Sequence, residues 1–98
     1  MNRADAIRHL KDHAADIRAR GATALYLFGS TARNEARSDS DVDLFLEYDP
    51  ARRFSVVDLV DIKNLLEHEL GVSVDVTTRD SLHPALRGDI ETTALRVF

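Results

Sequence analysis

The sequence predicts an α/β fold in which helices cover the apolar face of a small sheet. Short apolar segments with strand character alternate with longer segments that repeat apolar residues at helical spacing. Two of the strand segments alternate apolar and polar residues, which indicates one buried face and one polar face. Strands that alternate with helices in this way are typical of α/β domains.

The first part of the chain is predicted to form a helix, a strand and a short helix. The helix covers residues 3 to about 20 and places apolar side chains at helical spacing, at Ile7, Leu10, Ala14 and Ile17. Gly21 follows it as a helix stop. The apolar segment ATALYLF (22–28) predicts a strand, and a short helix is expected to begin near Ser30.

A second strand and the clearest helix follow. The segment DVDLFLEY (41–48) alternates, with valine and leucines on one face and aspartates and a phenylalanine on the other. The helix over residues 55–70 begins with a capping box of Ser55 and Asp58 and ends at Gly71. Its apolar face consists of Val56, Leu59, Ile62, Leu66 and Leu70.

A third strand and a last helix complete the predicted order. The segment VSVDVTT (72–78) alternates again, with three valines on one face. The last helix is expected to begin near Pro84, a favourable first-turn residue. We expect three of its apolar side chains to face inward: Leu86, Ile90 and Ala94.

Composition narrows the class of protein. The 98 residues suffice for one compact domain spanning residues 1–98. The formal net charge of -4 gives no reason to expect general affinity for nucleic acid. The absence of cysteine excludes disulfides and thiolate metal sites, and no segment has the pattern of a signal peptide or a membrane span. We therefore expect a soluble, cytoplasmic protein that binds neither nucleic acid nor membranes directly.

Carboxylates on the predicted strands indicate a metal site. Asp41 and Asp43 are two residues apart, so their side chains point to the same face of the strand. Asp75 lies on the corresponding polar face of a later strand. If these strands are neighbours, the three carboxylates converge and repel one another. A divalent cation resolves the repulsion, and Mg²⁺ commonly bridges carboxylates to substrate phosphates.

The turn after the first strand indicates a phosphate site. Gly29 lets the backbone approach a ligand closely, and a helix that begins there presents free N–H groups. Ser30 can donate from its hydroxyl, and Arg33 can reach back to a phosphate. A phosphate cradle followed by paired carboxylates is typical of two-metal phosphoryl or nucleotidyl transfer.

The same carboxylates have two other interpretations. Alternating aspartates can mark a solvated sheet edge that discourages aggregation, but the spacing to the glycine–serine turn and the position of Asp75 favour a site. The segment DSDVDL also resembles the start of a calcium-binding loop. That interpretation fails because Leu44 stands where the loop requires glycine and Pro50 stands where it requires glutamate.

Two further groups of residues have a functional and a structural interpretation. His9 and His13 lie four residues apart on a predicted helix and could share a metal, but no third ligand is apparent. We interpret them as exposed helix histidines. Arg52 and Arg53 are interpreted as solvated loop charges, with a triphosphate or partner contact as the alternative.

The segment GSTARNEARSDSDVDL resembles the signature of the nucleotidyltransferase superfamily that includes DNA polymerase β. It is most similar to the minimal nucleotidyltransferases of prokaryotes, whose third carboxylate falls on a strand that Asp75 matches. The segment departs from that pattern at Asn34, where the family usually has glycine, and asparagine also tolerates a left-handed backbone. The matching residues are Gly29, Ser30, Ala32, Arg33, Ser40, Asp41, Asp43 and Leu44.

The resemblance implies a fold, an activity and a partner. It implies a minimal polymerase-β-type nucleotidyltransferase fold, a small mixed sheet with helices packed mainly on one face. It also implies an antitoxin that transfers AMP from ATP to a tyrosine of a HEPN-class ribonuclease toxin. Asp41 and Asp43 would hold two Mg²⁺ ions, with Asp75 ligating one of them and helping to deprotonate the tyrosine. The triphosphate would be held by Gly29, Ser30 and Arg33.

Two alternative functions belong to other classes. The chain could neutralise a toxin by binding alone, although a pure binder has no need for three mutually repelling carboxylates. It could instead modify a small molecule, although the sequence offers no room for a domain that holds such an acceptor.

Overall fold

A computed structural model describes residues 1–37 and 39–98, and within these residues it contains a four-stranded sheet and five α-helices. The helices are α1 (Arg3–Asp12), α2 (Ala14–Ala19), α3 (Gly29–Ala32), α4 (Val56–Leu70) and α5 (Pro84–Thr93). The strands are β1 (Ala22–Phe28), β2 (Val42–Tyr48), β3 (Val74–Thr78) and β4 (Leu95–Arg96). A single 3₁₀ turn, Arg79–Ser81, follows β3.

The sheet is mixed, with the strand order β3-β2-β1-β4. Strand β1 pairs antiparallel with both β2 and β4, whereas β2 pairs parallel with β3. The parallel pair needs a long crossover, which α4 provides. The small mixed sheet predicted from the sequence is confirmed. Strand β4 was not predicted, because two residues are too few to show an alternation.

The hydrophobic core lies between one face of the sheet and three helices. Helix α4 contributes Ile62 and Leu66, and α1 and α2 contribute Leu10 and Ile17, all of them fully buried. The sheet contributes Leu25, Leu27, Val42, Leu44, Leu46, Val74 and Val76. The prediction that the helices pack mainly on one face is confirmed, because α5 adds no residue to this core.

The second face of the sheet carries an aromatic pair and an ion-pair network. The rings of Tyr26 and Phe45 stack with their centroids 4.6 Å apart. The Arg79 guanidinium lies 5.5 and 5.8 Å from the two ring centroids. Arg79 also donates to Glu47 on β2 and to Glu91 on α5, the latter at 3.0 Å. This arginine therefore fastens α5 to the sheet.

Three sequence predictions about the helices were wrong. Leu86 does not face inward but is 56% exposed, because α5 is held through Arg79 on the second face of the sheet and adds no residue to the core. Val56 is 74% exposed, because it occupies the first turn of α4, before the segment that reaches the core. The predicted first helix is interrupted at His13, whose Nε2 lies 3.7 Å from a Glu69 carboxylate oxygen on α4.

The predicted ends of α4 are confirmed. The Ser55 hydroxyl and the Asp58 carboxylate each accept a hydrogen bond from the other residue's backbone N–H. Gly71 ends the helix with a φ of 70°, a left-handed conformation that glycine adopts readily. These caps fix where the crossover begins and ends, and thereby position β3.

Two buried threonines provide a test of the packing. The Thr31 hydroxyl is buried and has no hydrogen-bond partner among the residues described. We expect Thr31→Val to raise the free energy of unfolding by about 1 kcal/mol, because an isosteric methyl group removes an unpaired polar group. Urea denaturation measures the change.

Thr78→Val is the matched control for this prediction. The Thr78 hydroxyl donates to the Asp80 carboxylate at 2.6 Å and lies 2.7 Å from the Ser81 hydroxyl. The same substitution there should lower the free energy of unfolding by about 1 kcal/mol, because it removes the hydrogen bond from the Thr78 hydroxyl to Asp80 and leaves that carboxylate only its bond from the Tyr48 hydroxyl. Equal changes in the two variants would contradict the assignment of these hydroxyls.

Candidate active site

Two of the three predicted carboxylates lie side by side in one row across the sheet. Phe28 on β1 pairs with Asp43 on β2, and Asp43 pairs with Asp75 on β3. Residues paired across neighbouring strands point to the same face. We call this row of three paired residues, Phe28, Asp43 and Asp75, the carboxylate row after its two aspartates. The condition stated for the convergence of the carboxylates, that the two strands are neighbours, is thus met by the parallel pairing of β2 with β3.

Gly29 turns the chain directly against the Asp43 carboxylate. The residue has a φ of 74°, which most side chains disfavour. A Cβ atom built on Gly29 would overlap the Asp43 carboxylate oxygen. Glycine is therefore required at this position for two reasons, its backbone conformation and the space that Asp43 occupies.

The electrostatics of the carboxylate row centre on Asp43. Burial raises the pKa of this half-buried carboxyl group, and the negative charges of Asp75 and then of Asp41 raise it further. The Arg33 guanidinium acts in the opposite direction and lowers the pKa of Asp43. Negative charge at Asp43 is thus disfavoured by its surroundings, a condition that a cation would relieve.

Asp41 lies outside the strand that was predicted to contain it. It immediately precedes β2 and is exposed, as is Asp75. Across residues 1–37 and 39–98, no three acidic or histidine side chains already converge into a metal-binding cluster. The donor set itself fits Mg²⁺, because carboxylate oxygens are the ligands that this ion prefers and Asp43 experiences the charge of both other aspartates.

The predicted phosphate-binding residues lie on a very short helix. Helix α3 has four residues, so its dipole is small and the turn must act through individual N–H groups and the Ser30 hydroxyl. Arg33 follows the helix and is exposed. Its Nε donates to the Glu35 carboxylate at 3.1 Å. A bound phosphate would therefore compete with Glu35 for this arginine.

The departure from the family pattern at Asn34 is accommodated by the fold. Asn34 adopts a φ of 59°, the left-handed conformation that the usual glycine would adopt. Its side-chain oxygen also accepts a hydrogen bond from the Arg3 backbone N–H at 3.2 Å. The asparagine thus keeps the shape of the loop and connects it to the start of α1.

The alternative interpretations can now be compared with the fold. Strand β2 lies between β3 and β1, so Asp43 does not protect a sheet edge and that interpretation is wrong. His9 and His13 are half-buried and not exposed as interpreted, and the ring nitrogens of His13 lie 3.7 Å from a Glu69 and 4.0 Å from an Asp16 carboxylate oxygen. Arg52 and Arg53 are both exposed, as expected for solvated loop charges.

A cleft beside the glycine turn contains residues that the sequence analysis did not assign to the site. Its volume is about 350 Å³. We call it the α5 cleft, and its lining residues are Phe28, Gly29, Arg33, Asp89, Ile90 and Thr93. The last three follow the i, i+1, i+4 spacing of one helix face, but the sequence could not show that this face turns towards the glycine.

Comparison with known proteins identifies the family. The family model described as nucleotidyltransferase domain matches residues 9–97. A Methanocaldococcus jannaschii protein named as a protein adenylyltransferase is 43% identical over 74% of this chain and 75% of its own length. Protein adenylyltransferase MntA of Thermococcus cleftensis is 34% identical over 74% of this chain and 73% of that protein. The chain belongs to the nucleotidyltransferase domain family, and its activity is nucleotidyl transfer.

Solved structures agree with this assignment. A minimal nucleotidyltransferase superimposes with a TM-score of 0.78 at 34% identity, covering 97% of this chain and 95% of the other. The complex of a tri-AMPylated Shewanella oneidensis HEPN toxin with its MNT antitoxin gives a TM-score of 0.64 at 18% identity, covering 90% and 68%, which shows a shared fold. None of the helices described here combines the length and apolarity needed to cross a bilayer.

The role of Gly29 can be tested against a second left-handed glycine. Gly71 has a φ of 70°, but a Cβ atom there would meet nothing within 4 Å. We expect Gly29→Ala and Gly71→Ala each to lower the free energy of unfolding by about 1 kcal/mol because of the backbone conformation. Gly29→Ala alone should lower the rate of nucleotidyl transfer, by about a hundredfold, because it displaces Asp43.

Urea denaturation and a transfer assay with radiolabelled ATP measure the two effects separately. Equal transfer rates in the two alanine variants would show that the contact between Gly29 and Asp43 is not needed for activity.

Proposed function

We propose that this protein is an antitoxin that transfers AMP from ATP to a tyrosine of a HEPN-class ribonuclease. One observation supports the chemistry most strongly: the carboxylate row places Asp43 beside both Asp75 and the Gly29 turn. Relatives named as protein adenylyltransferases support a protein acceptor. Residues 1–98 act as one nucleotidyltransferase domain in the cytoplasm, and the acceptor is a separate protein.

In this proposal the three aspartates hold the metal and move the proton. Asp41 and Asp43 would hold two Mg²⁺ ions, and Asp75 would ligate one of them. When bound, these ions neutralise the phosphate charge and stabilise the transferring group. Asp75, at the exposed end of the carboxylate row, accepts the phenolic proton of the tyrosine.

The turn after β1 holds the leaving group. The Gly29 backbone, the Ser30 hydroxyl and the Arg33 guanidinium bind the β- and γ-phosphates, with Arg33 released from Glu35. The tyrosine oxygen forms a bond to the α-phosphorus while the bond from that phosphorus to the bridging oxygen of pyrophosphate breaks. The products are the AMP–tyrosine ester and pyrophosphate, and the proton remains on Asp75.

Intact-mass measurement of the partner tests this function. The candidate partner, a HEPN-class ribonuclease, is incubated with ATP, Mg²⁺ and the antitoxin at about a fiftieth of the amount of the partner. We expect the partner to gain one or more AMP units on a tyrosine and to lose its ribonuclease activity, because a covalent adduct persists after dissociation. Binding alone gives inhibition only near equal stoichiometry.

Asp43→Asn is the control in this experiment. It keeps the size of the side chain, and Asp43 contributes no apolar surface to the core. The variant should remain folded and transfer no AMP. An inhibited partner of unchanged mass, or full AMP transfer by Asp43→Asn, would contradict the proposed function. AMP found on a small acceptor but not on the partner would indicate the small-molecule class.

A further inference from the structure

The α5 cleft has two walls of different chemistry. One wall consists of Phe28, Gly29 and Arg33, which adjoin the phosphate turn. The other wall consists of three residues of α5: Asp89, Ile90 and Thr93. The volume of about 350 Å³ is within the range of small-molecule sites, which is about 300–1,000 Å³. The cleft therefore has room for a part of the substrate that the catalytic residues do not contact.

The α5 wall does not suit a triphosphate. Asp89 places a carboxylate there, and negative phosphates would be repelled by it. Phe28 and Ile90 add apolar surface, and the Phe28 ring is only half-buried. The Thr93 hydroxyl is engaged within the helix, because it donates to the Asp89 carbonyl at 2.9 Å. An apolar surface with one carboxylate suits an uncharged heterocycle that carries hydroxyl groups.

The position of this wall is fixed by the opposite side of α5. Glu91 accepts hydrogen bonds from Arg79 at 3.0 Å and from Arg87 at 2.7 Å. Arg79 is itself held over the aromatic pair of the sheet. Asp89 lies two residues before Glu91 and thus on the other side of the helix. The ion-pair network therefore positions Asp89 without contacting it.

We propose that the α5 cleft binds the nucleoside part of ATP and that the Asp89 carboxylate accepts a hydrogen bond from a ribose hydroxyl. This inference rests on the proposed function, because it takes ATP as the nucleotide. The base lies against Phe28 and Ile90, while the phosphates extend along the turn that begins at Gly29. Asp89 thereby distinguishes ATP from an analogue that lacks this hydroxyl, without taking part in the chemical step.

A double-mutant cycle between Asp89 and the ribose tests the inference. Titration calorimetry with Mg²⁺ measures the binding of ATP, 2′-deoxy-ATP and 3′-deoxy-ATP to the full chain. We expect the natural protein to bind ATP about tenfold more tightly than one of the two deoxy analogues, as for a hydrogen bond to a charged group. In Asp89→Ala, ATP should bind about tenfold more weakly and that analogue should bind as before.

Two further variants control the experiment. Asp61→Ala removes another exposed helical aspartate, on α4, and should leave all three affinities unchanged. Asp89→Asn keeps an acceptor oxygen without the charge, and should retain about a threefold preference for ATP. Melting curves of the three variants should coincide with that of the natural protein, because both aspartates are exposed.

The outcomes separate this inference from the proposed function. The inference is overturned if Asp89→Ala weakens all three nucleotides equally or none of them, or if the natural protein binds all three alike. ATP binding that depends on Asp89 and the ribose, together with an unmodified partner, would contradict the proposed function and leave the nucleoside site standing. The absence of any ATP binding would overturn both.

Discussion

The Gly29 backbone lies directly against the Asp43 carboxylate, and the arrangement of the site depends on that contact. The contact joins the end of β1 to the start of β2, which are paired in register. The parallel pairing of β2 with β3 then brings Asp75 to the other side of Asp43. The Gly29 turn, Asp43 and Asp75, to which the proposal assigns phosphate binding, metal binding and proton acceptance, thus lie in one line across three strands. Any shift in the register of these strands would separate them.

One face of the sheet forms the hydrophobic core, and the other carries the candidate site. The face that carries leucines and valines forms the core with α1, α2 and α4. The opposite face carries the carboxylate row at one end and the Arg79 network at the other. Burial of Asp43 and repulsion from Asp75 and Asp41 raise the pKa of its carboxyl group in the folded protein. At neutral pH, where the carboxyl group is ionised in the unfolded chain, both effects oppose folding. The apolar face supplies the stability that offsets this repulsion, whereas α5 adds no residue to the core and is held by the ion pair between Glu91 and Arg79. Because α5 is not packed into the core, its Asp89, Ile90 and Thr93 are available to line the α5 cleft.

Much of the site could be predicted from sequence because its signals are local. The glycine–serine turn and the paired aspartates lie within one short segment, and the caps of α4 need only Ser55 and its neighbours. The α5 cleft could not be predicted in this way. Its wall depends on Arg79, which binds Glu47, 32 residues earlier in the chain, and Glu91, 12 residues later. Contacts between residues so far apart leave no periodic pattern in the sequence. For the same reason Leu86 was wrongly predicted to face inward. From the sequence alone Asp89 is an ordinary helix residue, and only the fold shows that it lines the same cleft as Gly29.

A crystal structure of the protein with AMP-PNP and Mn²⁺ tests the central claim most directly. The anomalous signal of manganese locates the metal independently of the protein atoms. We expect Mn²⁺ bonded to the carboxylates of Asp41 and Asp43, the β- and γ-phosphates against Gly29 and Ser30, and the adenosine in the α5 cleft. Manganese bound away from the carboxylate row, with the triphosphate clear of the Gly29 turn, would contradict the account.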